Sequence, residues 1–179
     1  MNIARYMSRG IIFVAVLWCV GVAQAGDGIQ TAGDVLQFVL PATAGALTLG
    51  HKDGPGAVQL GESLGVTLGV TYALKYSLDT TRPNGSHYSM PSGHTSISFS
   101  SAEFMRKRYG WEYGVPAYAA ASFVAYSRVE SNQHYPKDVI AGAGIGIVSS
   151  YIFTKPYKGW KVEAQAGGGY YGLTVSRNW

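Results

Sequence analysis

Cysteine is almost missing from this sequence: Cys19, inside an apolar N-terminal stretch, is the only one. Disulfide stapling, thiolate catalysis and a cysteine metal site are therefore excluded for the rest of the chain, whose stability must come from packing. Charge is scarce as well, at 13% of residues with a formal net charge of +4. Without Arg5 and Arg9, twelve Lys and Arg remain against ten Asp and Glu, a formal charge of +2. That small excess, with no nucleic-acid motif, gives no reason to expect a nucleic-acid partner. No Gly, Pro or Ser tract is long enough to be a linker, and no repeat is visible. One domain fits the 179 residues, and an apolar content of 47% is ample for its core.

Arg5 and Arg9 precede the apolar run 10–22, which ends at Ala23-Gln24-Ala25. This pattern predicts a secretory signal peptide over residues 1–25, with cleavage after Ala25 and export of the remainder. An uncleaved anchor is the alternative, and the short run favours the cleaved form. Uncharged, apolar stretches follow at 35–50, 63–74, 113–127 and 139–154, each below the roughly 20 residues that usually span a bilayer. A further helix is expected over 93–108, closing on Arg106-Lys107-Arg108, where cations suit the C-terminal end of the helix dipole. The expected fold is all-α, a small soluble or membrane-associated bundle occupying residues 26–159. Partial two-residue alternation at 160–166 and 170–175, around Gly167-Gly168-Gly169, predicts a small C-terminal hairpin over 160–179 that packs on the bundle.

Three clusters carry chemistry. Six residues separate Lys75 from Arg82, with Pro83 following, so a lysine ends a helix and an arginine follows in a loop. A guanidinium fork and a compact ammonium together suit a tetrahedral oxyanion. Pro91-Ser92-Gly93-His94-Thr95 places an N-cap serine before a helix start, where free amides face an anion and His94 in the first turn can give or take a proton. In the third cluster Ser127-Arg128 precedes His134 by a five-residue gap, and Asp138 lies four residues beyond. Pro136 suits a helix's first turn, which puts Asp138 within reach of His134. A carboxylate accepting one imidazole N–H leaves the other nitrogen free to attack phosphorus.

Taken together, Lys75, Arg82, Pro83, Pro91, Ser92, Gly93, His94, Ser127, Arg128, His134 and Asp138 resemble the three motifs of the PAP2 superfamily, in order. That superfamily includes class A acid phosphatases, membrane lipid phosphatases and vanadium haloperoxidases. The resemblance spans just over a third of the chain. It implies a PAP2-type helical bundle and a two-step hydrolysis without metal or other cofactor. Lys75, Arg82, Arg128, Ser92 and Gly93 would hold the phosphoryl group, and His134 would become a phosphohistidine. Asp138 would orient His134, while His94 would protonate the leaving oxygen and then activate water.

Only residues 84–90 separate the first two motifs, so an open site is expected, and His87 in that loop reads as an exposed residue without a role. His51, in the turn-forming run 51–56, has no partners for a metal site and reads as a solvated turn residue. The tyrosines and Trp111 read as core or interfacial aromatics. The apolar stretches favour a lipid phosphate or diphosphate as substrate, phosphatidate, isoprenyl diphosphate or lipid A in type. A soluble periplasmic acid phosphatase acting on small esters is the alternative, and vanadate-dependent halide oxidation and a noncatalytic binding role are the outlying ones.

Overall fold

The structure is a computed structural model that describes residues 28–157, 160–167 and 170–177. The leader expected over residues 1–25 lies outside the described residues. Among the described residues five helices follow one another: α1 Gly28–Gly50, α2 Gly54–Leu78, α3 Gly93–Tyr109, α4 Trp111–Glu130 and α5 Pro136–Phe153. Strands β1 Trp160–Gly167 and β2 Tyr170–Arg177 close the chain as an antiparallel pair, with Trp160 opposite Arg177. The all-α reading with a small terminal hairpin is thus the observed architecture. The hairpin was expected to rest on the bundle; among the described elements each strand contacts only the other.

The helices outrun the apolar stretches that announced them, because polar residues such as Gln30, Asp34, Gln59 and Glu62 continue them without breaking periodicity. Among the described residues one helix, Gly28–Gly50, is long and apolar enough to cross a membrane by length and composition.

Central α3 packs between two unlike interfaces. On the side of α1 and α4 the filling is apolar: Ala32, Leu36, Leu40, Ala44 and Leu47, mostly one turn apart, meet Phe104, Met105, Ala117, Ala121 and Val124. On the side of α2 and α5 it is polar. Ser63, Thr67, Thr71 and Lys75 recur every four residues along α2 and form its buried stripe. Thr67 Oγ1 donates to Ser100 Oγ at 3.1 Å and Thr71 Oγ1 to Ser96 Oγ at 2.9 Å, so the α2–α3 seam is a ladder of hydroxyls. Outward, α2 presents Val58, Val66, Val70, Leu74 and Leu78, and α5 presents Ile140, Val148 and Ile152. These two helices therefore carry apolar side chains outside and hydroxyls inside, the reverse of a helix that packs in water.

Small residues make the seam possible. A Cβ added to Gly146 of α5 would lie 2.2 Å from the Ser96 carbonyl oxygen and 2.8 Å from the Ser100 nitrogen, so α5 rides directly on the backbone of α3. At the far end of the bundle, Asp53 caps α2 by accepting from the Gly56 N–H at 3.0 Å and also binds Arg108 through Nε at 2.7 Å. Tyr109 donates to the same carboxylate at 2.9 Å. His51, expected to be solvated, is half-buried here, stacked on Tyr109 at 5.0 Å between ring centres, because the α1–α2 turn folds back onto the end of α3.

Gly146→Val is expected to cost about 1–3 kcal/mol through overpacking of the α3–α5 seam. Thermal unfolding of the purified variant measures it; an unchanged melting temperature would mean that the seam is not closely packed.

Candidate active site

Alternation of helix direction brings the C-terminal ends of α2 and α4 beside the N-terminal ends of α3 and α5. Each sequence cluster sits at one of these ends, so one side of the bundle receives all three. Lys75 lies in the last turn of α2, 7% exposed, and its Nζ donates to the Tyr88 carbonyl at 2.7 Å. Asp79 ends the helix in a left-handed conformation, its N–H returning to the Lys75 carbonyl. Arg82 follows in the loop, with Nε donating to the His87 carbonyl at 3.1 Å and Nη1 to Gln133 Oε1 at 3.3 Å. Tyr88 has a φ of 60°, a left-handed conformation rare for an aromatic residue, and its carbonyl is the one on Lys75.

Ser92 caps α3 as expected; its Oγ accepts from Thr95 Oγ1 at 3.0 Å, and Gly93 opens the helix. His94, in the first turn, is about one-third exposed. Arg128, in the last turn of α4, is buried, and His134 lies in the 131–135 connection, also buried. The peptide N–H groups of Gln133 and His134 both donate to the Arg128 carbonyl, at 3.0 and 3.1 Å, which folds this connection back over the end of α4.

Asp138, fully buried in the first turn of α5, joins the second and third clusters. Its carbonyl accepts from the Ser92 N–H at 3.0 Å, and Oδ2 accepts from the Tyr135 N–H at 3.0 Å and from Ser89 Oγ at 2.5 Å. His134 Nδ1 stands 3.6 Å from that oxygen, longer than a hydrogen bond. Two better-placed donors occupy Oδ2, and among the described residues both His134 Nδ1 and Asp138 Oδ1 are buried without a partner.

The eight candidate residues thus occupy one end of the bundle, with Lys75, Arg82 and Arg128 supplying three cations close to two imidazoles. Burial, then the positive charges of Arg82 and Lys75, hold the His134 imidazole at about 4, against the pull of Asp138 in the other direction. Burial and then Arg128 also hold His94 below the ordinary histidine range. Such a concentration of positive charge can bind a dianion, and a neutral imidazole within it can act as a nucleophile. Among the described residues no group of His, Cys, Asp and Glu is arranged to hold a metal ion.

Two residues at this end escaped the sequence reading. Ser89 is fully buried on Asp138, and only its place two residues before Pro91-Ser92-Gly93-His94 hinted at it. Asp34 of α1 contacts both His94 and Arg128, and nothing around it in sequence marks it. His87 is exposed as expected, 3.3 Å from Asp79.

A family model described as the PAP2 superfamily matches residues 56–160. The chain is 33% identical over 170 residues to a lipid A 4'-phosphatase of Helicobacter pylori, an alignment covering 84% of this chain and 85% of that one. Among solved structures, LpxE of Aquifex aeolicus superposes with a TM-score of 0.54 at 21% identity, over 67% of this chain and 84% of the other. A transmembrane PAP2-type phosphatidylglycerolphosphate phosphatase of Bacillus subtilis gives 0.50 at 18% identity, over 86% and 85%. These two likenesses concern the fold.

Because the depressed value of His134 keeps its ring neutral, the imidazole should remain uncharged at pH 5.5 in the free protein and gain its proton only near pH 4. Ring-proton chemical shifts across pH 3–8, assigned with a His134→Gln variant, measure this. Titration near 6.5 would contradict the electropositive site, and Lys75→Ala should move the titration upward by removing one of the opposing cations.

Proposed function

The chain belongs to the PAP2 superfamily and is a phosphatase, a phosphoric ester hydrolase; from that premise we propose that it hydrolyses a lipid-borne phosphate through a phosphohistidine on His134. The gathering of three cations and two imidazoles at one end of the bundle carries this reading. Lys75, Arg82 and Arg128 hold the phosphoryl oxygens, with the Ser92 hydroxyl and the Gly93 amide at the positive end of α3. His134 attacks phosphorus from a ring kept neutral by its cationic surroundings, and Asp138 closes on Nδ1 as positive charge develops there. His94 protonates the departing oxygen and then takes a proton from the water that hydrolyses the phosphohistidine.

Two observations support a lipid substrate at a membrane. Likeness to a lipid A 4'-phosphatase extends over most of both chains, which favours a lipid A type of phosphate. The outward apolar faces of α2 and α5 and the apolar length of α1 suit acyl chains, with the site at head-group level. The leader expected over 1–25 supports a site outside the cytoplasm.

In mixed micelles, a lipid A phosphomonoester is expected to be hydrolysed with a kcat/KM about tenfold or more above that for p-nitrophenyl phosphate, since binding of the remote lipid contributes to the transition state. Release of inorganic phosphate is the readout. Hydrolysis of the small ester alone would overturn the lipid assignment.

A further inference from the structure

Asp34 belongs to none of the three clusters, yet it contacts two of them. It sits early in α1, and its Oδ1 accepts from His94 Nε2 at 3.0 Å and from Arg128 Nη1 at 2.6 Å. The neighbouring Arg128 Nη2 donates to the Gln30 carbonyl at 2.7 Å, so α1 grips the guanidinium twice. This approach needs glycine at the preceding position: a Cβ on Gly33 would meet Ser127 Oγ at 1.9 Å and Arg128 Nη2 at 2.8 Å. A carboxylate can only accept, so the imidazole nitrogen facing it carries a proton, and Nδ1 is the nitrogen left to serve the reaction.

We propose that Asp34 is the positioning residue of the acid catalyst, fixing the His94 ring through Nε2 so that Nδ1 delivers the proton, and tying that ring to Arg128 in one register. The inference rests on the phosphatase reading above. In the first step the bond from the His134 ring nitrogen to phosphorus forms while the bond from phosphorus to the leaving oxygen breaks. The electron pair stays on that oxygen, which takes the Nδ1 proton of the His94 imidazolium; His94 is left neutral, with its Nε2 proton still held by Asp34. Charged and titratable groups face His94 from several elements: Asp34 from α1, Arg128 from α4, Arg82 from the α2–α3 loop and His134 from the 131–135 connection. Burial and the two arginines oppose the imidazolium, and Asp34 favours it. Asp34 thus counters the cations that the phosphate requires.

The test uses the full chain in micelles and two phosphomonoesters bearing the same acyl chain, one alkyl-linked and one nitrophenyl-linked. The alkoxide needs a proton to leave and nitrophenolate does not. Asp34→Asn, which keeps the shape and removes the charge, is expected to lower kcat/KM for the alkyl ester by about tenfold more than for the nitrophenyl ester, whose loss reports only the shared contact with Arg128. The alkaline limb of the alkyl-ester pH profile should move by about one unit toward acid, because the imidazolium loses its counter-charge. Asp34→Glu should recover most of the alkyl-ester activity and return the limb. Equal losses on both esters with an unmoved limb, or no loss on either, would overturn the inference while leaving the phosphatase reading intact. A wild-type protein inactive on both esters would overturn that reading and this inference with it.

Discussion

Like charges gathered at one end of a helical bundle are the constraint on which the rest of the structure turns. Lys75 and Arg128 are nearly inaccessible, Arg82 is half-buried beside them, and His134 is buried among them. Burying such groups together is unfavourable unless anions or oriented dipoles compensate. Partial compensation comes from backbone carbonyls: Tyr88 on Lys75, His87 on Arg82 and Gln30 on Arg128. Two carboxylates supply a further part, Asp34 on His94 and Arg128, Asp138 beside His134. A substrate phosphate would complete the balance, so affinity for a dianion follows from how the bundle is built.

That arrangement explains the unusual interior. If the outer faces meet lipid, the helices gain little from apolar contact with one another and must associate through close backbone approach and hydrogen bonds. The hydroxyl ladder from Thr67 and Thr71 to Ser100 and Ser96 supplies the second, and Gly146 on the backbone of α3 supplies the first. Both hold α2, α3 and α5 in fixed register, which is what sets Lys75, Ser92 and Asp138 at one level. The Asp53–Arg108–Tyr109 cluster fixes the opposite end of α3 to the α1–α2 turn, so the central helix is anchored at both ends.

Much of the site was legible in the sequence because each cluster is short and tied to a helix end. A lysine in a last turn, a serine cap before His94, and Asp138 one turn beyond His134 announce themselves through local rules of capping and spacing. Asp34 obeys no such rule: it is one polar residue in an apolar helix, and its meaning depends on α1 lying against α3 and α4, with His94 sixty and Arg128 ninety-four residues away in sequence. Ser89 was hard to see for the same reason, since it lies in a loop and its partner Asp138 is forty-nine residues away on α5. His51 was misread because a turn rich in Gly and Pro argues for solvent, whereas Tyr109 and Tyr157 make an aromatic seat for it. Helix lengths were underestimated where apolar runs stopped but helical residues continued, most clearly at both ends of α2.

Covalent chemistry at His134 is the centre of the account. Rapid mixing with a radiolabelled phospholipid monoester, alkaline quenching to preserve phosphohistidine and peptide mapping would test it most directly. The expected result is a transient label on the peptide containing His134, absent from His134→Ala and longer-lived in a variant of His94. A label on another residue, or full turnover by His134→Ala with no labelled intermediate, would contradict it.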